Sequence, residues 1–305
     1  MAASGWASPM PERWLVTGGT GQVGLALQRN PPPDVEIFAP GRDLLDLATL
    51  SPLEPLLEGA TAIVNCGAYT AVDKAESEPE LAHQINAEAP GRLAEAAARA
   101  GIPIIYVSTD YVFAADGFGP WREDDPITPA SVYGRTKAAG EAAVRAAGGR
   151  HAIIRTAWVV SADGHNFIKT MLRLGADRDE LAVVADQRGT PTHAGDLAAA
   201  LAAITARFTA DPAQPSGTWH CANAGETTWH GLATRVFECA AALGAKVPQR
   251  VRAIPTSEYP TPARRPADSR LDCSLLAQEF GLRLRAWEPA VDEIVETLVR
   301  QGVSA

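Results

Sequence analysis

The chain of 305 residues is 46% hydrophobic and 21% charged, which is typical of globular proteins and excludes a miniature fold that depends on disulfides or metals. Its 27 basic and 36 acidic side chains leave a net charge of −9, which disfavours nucleic acid or an anionic membrane as a partner. The four cysteines form no CxxC pair, so we expect isolated thiols and no metal site. No leader-like segment or apolar run of about 18 residues occurs, and a cytoplasmic location is expected.

The first apolar segment, Trp14–Val16, leads into the glycine-rich string TGGTGQVG at 17–24 and then into helix-forming residues up to Arg29. This order predicts a strand, a phosphate-binding loop and a helix. Further short apolar runs alternate with Ala-rich stretches, and they lie at 35–38, 62–65, 102–108 and 152–155. The alternation predicts an α/β fold with a doubly wound parallel (Rossmann) sheet.

The pattern changes after about residue 156, where polar loops alternate with shorter helical segments. We expect a disordered extension at 1–12, a dinucleotide-binding domain formed mainly by 13–160, and a smaller substrate-binding lobe formed mainly by 161–305. Some segments of the last part are expected to return to the Rossmann domain. The prolines between Ile254 and Pro266 predict an irregular loop, because proline fits neither a helix interior nor a central strand.

Gly18, Gly21 and Gly24 follow the first predicted strand with GxxGxxG spacing. Small residues there permit a tight turn and let backbone N–H groups approach a pyrophosphate at a helix N-terminus. Taken alone, the spacing also fits an ordinary turn between a strand and a helix.

Tyr133 and Lys137 form a YxxxK pair, and the four-residue spacing puts both on one face of a helix that begins near Ser131. An ammonium beside a phenol favours the phenolate, so we expect Lys137 to bring the pKa of Tyr133 towards neutrality.

Ser108, Thr109 and Asp110 end the predicted strand at 102–107, and carboxyl ends of such strands face the ligand crevice. A surface Tyr–Lys pair and a turn built by Ser and Thr are the alternatives.

Several longer strings occur in a fixed order: NCGAYT at 65–70, TAVDKAESEP at 70–79, STDYVF at 108–113, YGRTK at 133–137, RTAWV at 155–159, DQRGTPT at 186–192 and PTSEYPTPARRP at 255–266. With the glycine string they resemble the dTDP-4-dehydrorhamnose reductase family of the extended short-chain dehydrogenase/reductase superfamily. The resemblance runs from about Trp14 to beyond Trp287. It implies reduction of the C4 ketone of dTDP-4-dehydro-β-L-rhamnose by NADPH, with NADH also accepted.

The resemblance implies a role for each residue of the catalytic group. Tyr133 would donate the proton to the nascent alkoxide, Lys137 would bind the nicotinamide ribose, and Thr109 would polarise the ketone. Asn86 matches a helix asparagine that would support a water-mediated proton path to the lysine. A buried asparagine that braces two elements is an equal alternative.

The resemblance also implies which residues bind the cofactor and which bind the sugar nucleotide. The cofactor set is Gly18, Gly21, Gln22, Val23, Gly24, Arg42, Asp43, Asp46, Leu47, Cys66, Gly67, Ala68, Tyr133 and Lys137. The sugar-nucleotide set is Thr70, Val72, Thr109, Asp110, Trp158, Asn166, Gly189 and Arg265. Arg42 would bind the 2′-phosphate of NADPH, and Asp43 would bind the ribose 2′-hydroxyl of NADH. We therefore expect NADPH as the preferred cofactor, with NADH as an alternative.

Some relatives form magnesium-bridged dimers through two glutamates, but this chain has Ala26 and Gly195 at those positions, so we expect a monomer without metal.

Two other functions stay open. One is a sugar-nucleotide epimerase or dehydratase of the same superfamily, although Asp110 is followed by Tyr111 and not by the dehydratase's glutamate. The other is a non-catalytic, NADP-binding regulatory subunit.

Overall fold

The structure is a computed structural model that describes residues 11–49 and 52–302, so the predicted extension at 1–12 falls mostly outside the described residues. Three irregular helical turns occur in the first half, at Glu54–Leu57, Gln84–Glu88 and Asp110–Val112. The regular elements of this half are β1 (Glu12–Thr17), α1 (Gln22–Arg29), β2 (Val35–Phe38), β3 (Ala62–Asn65), α2 (Val72–Ala75), α3 (Pro79–His83), α4 (Ala89–Ala100), β4 (Ile104–Thr109), α5 (Val132–Ala146) and β5 (His151–Thr156).

The second half contains shorter strands between longer helices. Its elements are β6 (Val159–Val160), α6 (Phe167–Asp177), β7 (Glu180–Val184), β8 (Arg188–Gly189), β9 (Thr192–His193), α7 (Ala194–Ala210), β10 (Gly217–His220), β11 (Thr227–Thr228), α8 (Trp229–Ala242), β12 (Arg250–Ile254), α9 (Ser274–Phe280) and α10 (Trp287–Arg300). None of the described helices has the length and apolarity needed to cross a membrane.

The main sheet has the strand order β10-β5-β4-β3-β1-β2, and every pair in it is parallel. The predicted doubly wound sheet is therefore confirmed. The chain passes from β1 to β2 on one side and then returns to β3 on the other side of β1. Such a reversal opens a crevice at the carboxyl ends of β1 and β3, where ligands bind in this class of fold.

Helices cover both faces of this sheet because successive strand residues point to opposite sides. Trp14 and Val16 of β1 pack in one apolar cluster with Leu197 and Leu201 of α7. Leu15, between them, belongs to the cluster on the opposite face, which α4 supplies with residues such as Leu93. Both α7 and β10 come from the second half of the sequence, and the expected boundary at 160 stays a prediction.

A third apolar cluster joins α6, α8 and α10 through residues such as Leu172, Val236 and Ile294. The β7–β12 pair packs beside it, with Leu181 and Val183 in the same cluster. After a short helical turn at Thr256–Glu258, the proline-rich segment continues without regular structure up to α9, in agreement with the irregular loop that the sequence predicts.

Candidate active site

The loop after β1 packs directly on the loop after β3, and three glycines make this approach possible. Gly18 has φ +69°, and a Cβ on it would lie 2.6 Å from the backbone nitrogen of Gly67. A Cβ on Gly24 would lie 2.3 Å from the carbonyl oxygen of Gly18. We call Gly18, Gly24 and Gly67 the glycine cradle. Helix α1 begins beside it with Gly21 as an N-cap that has no side-chain cap, which leaves N–H groups open to an anion.

Gln22, the first residue of α1, turns its side chain towards the second half of the protein. Its Oε1 accepts hydrogen bonds from Ser161 Oγ at 2.9 Å and from Asn166 Nδ2 at 2.9 Å, and its Nε2 donates to the Val159 carbonyl at 3.2 Å. Asn166 also caps α6 by accepting from the Lys169 N–H. Gln22 and Asn166, expected at the cofactor and at the substrate respectively, therefore contact each other.

The loop after β2 carries the residues expected at the adenosine end. Arg42 and Asp43 are exposed, and Arg42 has no ion-pair partner among residues 11–49 and 52–302. Leu47 lies against the glycine cradle, because a Cβ on Gly67 would be 2.6 Å from Leu47 Cδ1. The Asp46 carboxylate accepts a hydrogen bond from the Ala48 N–H at 2.9 Å. The structure thus places a free guanidinium and an apolar side chain on one loop next to the crevice.

Tyr133 and Thr109 meet where α5 begins and β4 ends. Ser131 caps α5 by accepting a hydrogen bond from the Gly134 N–H at 3.1 Å, which sets Tyr133 in the first turn. The Tyr133 ring packs edge-on against Tyr111, with centroids 5.3 Å apart. The Thr109 side chain interacts with the Tyr133 phenol through a hydrogen bond that lowers the pKa of the phenol.

The expected effect of Lys137 on Tyr133 is wrong. Burial raises the pKa of Tyr133 above its ordinary value, the Thr109 hydrogen bond offsets this only in part, and Lys137 does not contribute. The reason is geometric: the Lys137 ammonium donates to the Val107 carbonyl at 2.8 Å and lies 4.1 Å from the centre of the Tyr106 ring. A tyrosine that stays protonated at neutral pH is nevertheless suited to donate a proton.

Lys137 is itself the strongly perturbed cation of the site. It is almost completely buried, and burial lowers its pKa to about 7, against the opposing charge of Glu141. Burial also raises the pKa of the neighbouring Cys66 thiol to about 12, so this cysteine stays neutral at physiological pH. The charge of Glu141 therefore favours the protonated form of Lys137 and opposes the lowering of its pKa by burial.

Glu141 is an important residue that sequence reasoning missed. Its buried carboxylate accepts from Ser108 Oγ at 2.7 Å, from Arg155 Nε and Nη2 at 2.8 Å each, and from Arg145 Nη2 at 3.0 Å. Burial alone would raise the pKa of Glu141, but the Arg155 hydrogen bonds and charge hold it below its ordinary value. Continuing the spacing of four residues from Tyr133 through Lys137 reaches Glu141, and this signal could have found it.

Asn86 braces two elements instead of facing the lysine. Its side-chain oxygen accepts from the Tyr69 N–H at 2.8 Å, and its amide donates to the Tyr69 carbonyl and to Thr136 Oγ1, each at 3.1 Å. Its carbonyl oxygen accepts from the Tyr106 hydroxyl at 3.1 Å. These contacts favour the bracing interpretation, and they link the loop after β3 to α5.

The remaining residues expected at the substrate fall into two groups. Thr70 and Val72 follow β3, and next to them Asp73 forms a bidentate ion pair with Arg265 at 2.9 and 2.7 Å. Arg265 is thus held by a carboxylate beside the site, and Asp73 is a second residue that sequence reasoning missed. Asp110, which follows Thr109, is 2% exposed.

Trp158 and Gly189 form the second group, on the side of the C-terminal half. Trp158 follows β5, the neighbour of β4, and has φ +48°, which is rare for a bulky side chain. Its ring stacks on Trp229 at 3.6 Å between centroids. Gly189 lies against the same ring, since a Cβ there would be 2.5 Å from Trp158 Cε2. Within the described residues no cluster of His, Cys, Asp and Glu suited to a metal ion occurs.

Comparison with known proteins agrees with this geometry. The family model described as the RmlD substrate binding domain matches residues 12–300. A dTDP-4-dehydrorhamnose reductase of Sinorhizobium fredii is 46% identical over 297 residues, covering 96% of this chain and 100% of the relative. The solved dTDP-4-dehydrorhamnose reductase of Clostridium acetobutylicum superposes with a TM-score of 0.86 at 36% identity, covering 94% of this chain and 99% of that one.

A second solved structure adds a bound ligand. The dTDP-4-dehydrorhamnose reductase of Bacillus anthracis, determined in complex with NADP, superposes with a TM-score of 0.84 at 33% identity and covers 94% of this chain and 100% of its own. The family match and these relatives extend over nearly the whole chain. The protein therefore belongs to the dTDP-4-dehydrorhamnose reductase family.

Proposed function

We propose that this protein reduces the C4 ketone of dTDP-4-dehydro-β-L-rhamnose to the alcohol of dTDP-L-rhamnose, with NADPH as the reductant. The observation that carries the proposal is the meeting of the Thr109 and Tyr133 hydroxyls at the carboxyl end of β4, with buried Lys137 one turn along the same helix. This edge of the sheet also holds the glycine cradle. A proton donor and a dinucleotide-binding loop are therefore brought to one crevice.

The residues present fit a nicotinamide dinucleotide. The close approach of the glycine cradle leaves no room for a Cβ, and the uncapped N-terminus of α1 offers N–H groups to a pyrophosphate. Arg42, exposed on the loop after β2, would hold the 2′-phosphate of NADPH, and Asp43 would allow NADH as well. The bound nicotinamide supplies the hydride. The other cofactor contacts are assigned to Gly21, Gln22, Val23, Asp46, Leu47, Cys66 and Ala68.

The chain's own residues supply the proton and the orientation. The Thr109 hydroxyl donates to Asp110 Oδ1 at 3.0 Å and would turn to the ketone oxygen when the substrate binds. Tyr133, protonated at neutral pH, would give its proton to the alkoxide as the hydride arrives. Lys137 would hold the nicotinamide ribose, and the charge of Glu141 favours the protonated form of the lysine, against the effect of burial. The sugar nucleotide is assigned to Thr70, Val72, Asp110, Trp158, Asn166, Gly189 and Arg265.

The decisive experiment measures the loss of NADPH absorbance when the 4-keto sugar nucleotide is added to the purified protein, and identifies the product by mass spectrometry. A reductase consumes one NADPH for each ketone. An epimerase or dehydratase would change the sugar without consuming free NADPH, and a regulatory subunit would change nothing. Either of the last two results would overturn the proposal.

We also propose that the protein acts as a monomer without a magnesium bridge, in a reducing compartment such as the cytoplasm. Ala26 packs against the apolar cluster under α1, and Gly195 lies beside the His193 ring, so neither position offers an oxygen ligand. The cysteines at 66, 221, 239 and 273 are free. Light scattering with and without Mg²⁺ and chelator tests the assembly, and a dimer that dissociates on chelation would contradict it.

A further inference from the structure

The backbone of Trp158 is strained and is held by hydrogen bonds. Its φ of +48° is a left-handed conformation, which a bulky residue keeps only where the surrounding structure supports it. The Trp158 carbonyl accepts from the Thr192 N–H at 3.0 Å, and the carbonyl of the next residue, Val159, accepts from Gln22 Nε2 at 3.2 Å. These bonds fix the backbone and not the side-chain torsion angles. The orientation of the indole therefore depends on what packs against it.

The ring that packs on Trp158 is that of Trp229, the first residue of α8. The two indoles lie face to face, with centroids 3.6 Å apart and planes 13° from parallel. Aromatic pairs prefer offset or edge-on arrangements with centroids about 4.5–7 Å apart, because the negative faces of the rings repel each other. The electrostatics of the two rings therefore do not explain the stack, and other contacts must hold Trp229 in place.

Trp229 has three contacts that do so. Thr228 caps α8 by accepting a hydrogen bond from the Gly231 N–H at 3.0 Å, which fixes the first turn. Trp229 Nε1 donates to Gln187 Oε1 at 3.1 Å. Phe167 of α6 packs against the Trp229 ring, with centroids 4.8 Å apart. Trp229 is thus a fixed surface on which the Trp158 ring rests.

Gln187 is itself fixed, and it belongs to the string DQRGTPT. It is 5% exposed, and its Nε2 donates to Thr256 Oγ1 at 3.1 Å. Gly189 of the same string contacts the other indole, since an added Cβ would lie within 3.0 Å of three atoms of the Trp158 ring. One string therefore supplies both an anchor for Trp229 and a contact to Trp158.

We propose that Trp229 is a positioning residue for the sugar: it holds the Trp158 indole in the orientation that contacts the sugar ring, and Gln187 holds Trp229. This inference rests on the proposed function, in which Trp158 contacts the sugar nucleotide. Thr156, two residues before Trp158, pairs with Thr109 in the register of β4 and β5, which places the indole near the reacting ketone. The stack should therefore affect binding of the sugar, and not binding of the nucleotide or the cofactor.

A comparison of two ligands separates the sugar from the nucleotide. Calorimetric titration of the protein saturated with NADPH, which reacts with neither ligand, gives the dissociation constants of dTDP-L-rhamnose and of dTDP. In Trp229→Leu only the first constant should rise, and the KM for NADPH should stay unchanged. The kcat/KM for the 4-keto sugar nucleotide should fall at least about tenfold, since a misplacement of about 1 Å can cost about 10²-fold in rate.

A conservative variant and a matched control separate positioning from a general loss of packing. Trp229→Phe keeps a flat ring against Trp158, so it should recover most of the affinity for dTDP-L-rhamnose. Trp219→Leu makes the same change at a tryptophan whose Nε1 also donates to a side chain, Glu279 Oε2 at 2.9 Å. It should lower the free energy of unfolding and leave both dissociation constants unchanged. A phenylalanine variant no better than leucine, or a control that weakens dTDP-L-rhamnose as much as Trp229→Leu, would contradict the proposal.

A further variant keeps the test valid if Trp229→Leu does not fold. Gln187→Leu removes the anchor and leaves both indoles in place, so it should weaken dTDP-L-rhamnose alone, by less than Trp229→Leu. Equal weakening of dTDP-L-rhamnose and dTDP, or no weakening of either, would refute the positioning role. If the wild-type protein consumes no NADPH with the 4-keto sugar nucleotide, the proposed function fails instead, so the two failures are distinguishable.

Discussion

Two arginines, Arg155 and Arg145, pair with the Glu141 carboxylate. We expect their replacement to lower the free energy of unfolding by very different amounts. Arg155 and Arg145 both donate to Glu141, but the side chain of Arg155 is 1% exposed and that of Arg145 is 39% exposed. Arg155→Gln leaves a buried charge without its bidentate partner, which typically costs about 3–5 kcal/mol of unfolding free energy. Arg145→Gln removes an exposed partner, for which about 0–1 kcal/mol is typical.

Urea unfolding at neutral pH, monitored by tryptophan fluorescence, measures both variants against the wild type. The two substitutions are chemically identical, so each is the control for the other. The loss in Arg155→Gln should shrink in acid, because the stranded Glu141 can then take up a proton and no longer be a buried charge. Equal losses in the two variants, or a loss below about 1 kcal/mol for Arg155→Gln, would refute the reasoning from burial.

Three further predictions follow from the site. Tyr133→Phe should keep NADPH affinity but lose about 10²–10⁴-fold in kcat, since the proton donor is gone, and turnover near the wild-type rate would contradict its role. Arg42→Ala should raise the KM for NADPH more than that for NADH, and equal effects would place the guanidinium away from the 2′-phosphate. Asp110→Asn should stabilise the protein. The folded pKa of about 6 lies above the ordinary 3.8, so wild-type stability falls as pH rises through this range. The gain should approach about 3 kcal/mol at pH 8 and vanish near pH 4, and a gain independent of pH would exclude the titration of Asp110 as its cause.

The first half of the fold could be predicted because four of its five strands, β1, β3, β4 and β5, are largely buried, whereas β2 is an edge strand. β1, β3, β4 and β5 contain short apolar runs, and the glycine string marks the turn where the loop after β1 approaches the loop after β3. β10 could not be located. It is a short edge strand of the sequence Gly-Thr-Trp-His, which lacks a distinctive pattern and is recognised only by its pairing with β5.

In the site too, contacts within one helix could be predicted from the sequence, whereas contacts between residues far apart in the sequence could not. Tyr133, Lys137 and Glu141 lie on one helix, where spacing alone places them together. The pairing of Asp73 with Arg265 joins residues that are 192 positions apart, and no local pattern reports such a contact. The direction of the Lys137 ammonium was also unpredictable, because it depends on a contact with the carbonyl of Val107 on β4.

The origin of β10 has a consequence for biosynthesis. The ribosome delivers β5 long before Gly217–His220, and α7, which covers one sheet face, also emerges only after residue 193. Until then the nascent chain carries an open β5 edge and an uncovered apolar face, the features that invite pairing with other chains. A fragment ending near residue 160 would keep both permanently. We therefore expect such a fragment to aggregate, and the native sheet to close only late in synthesis.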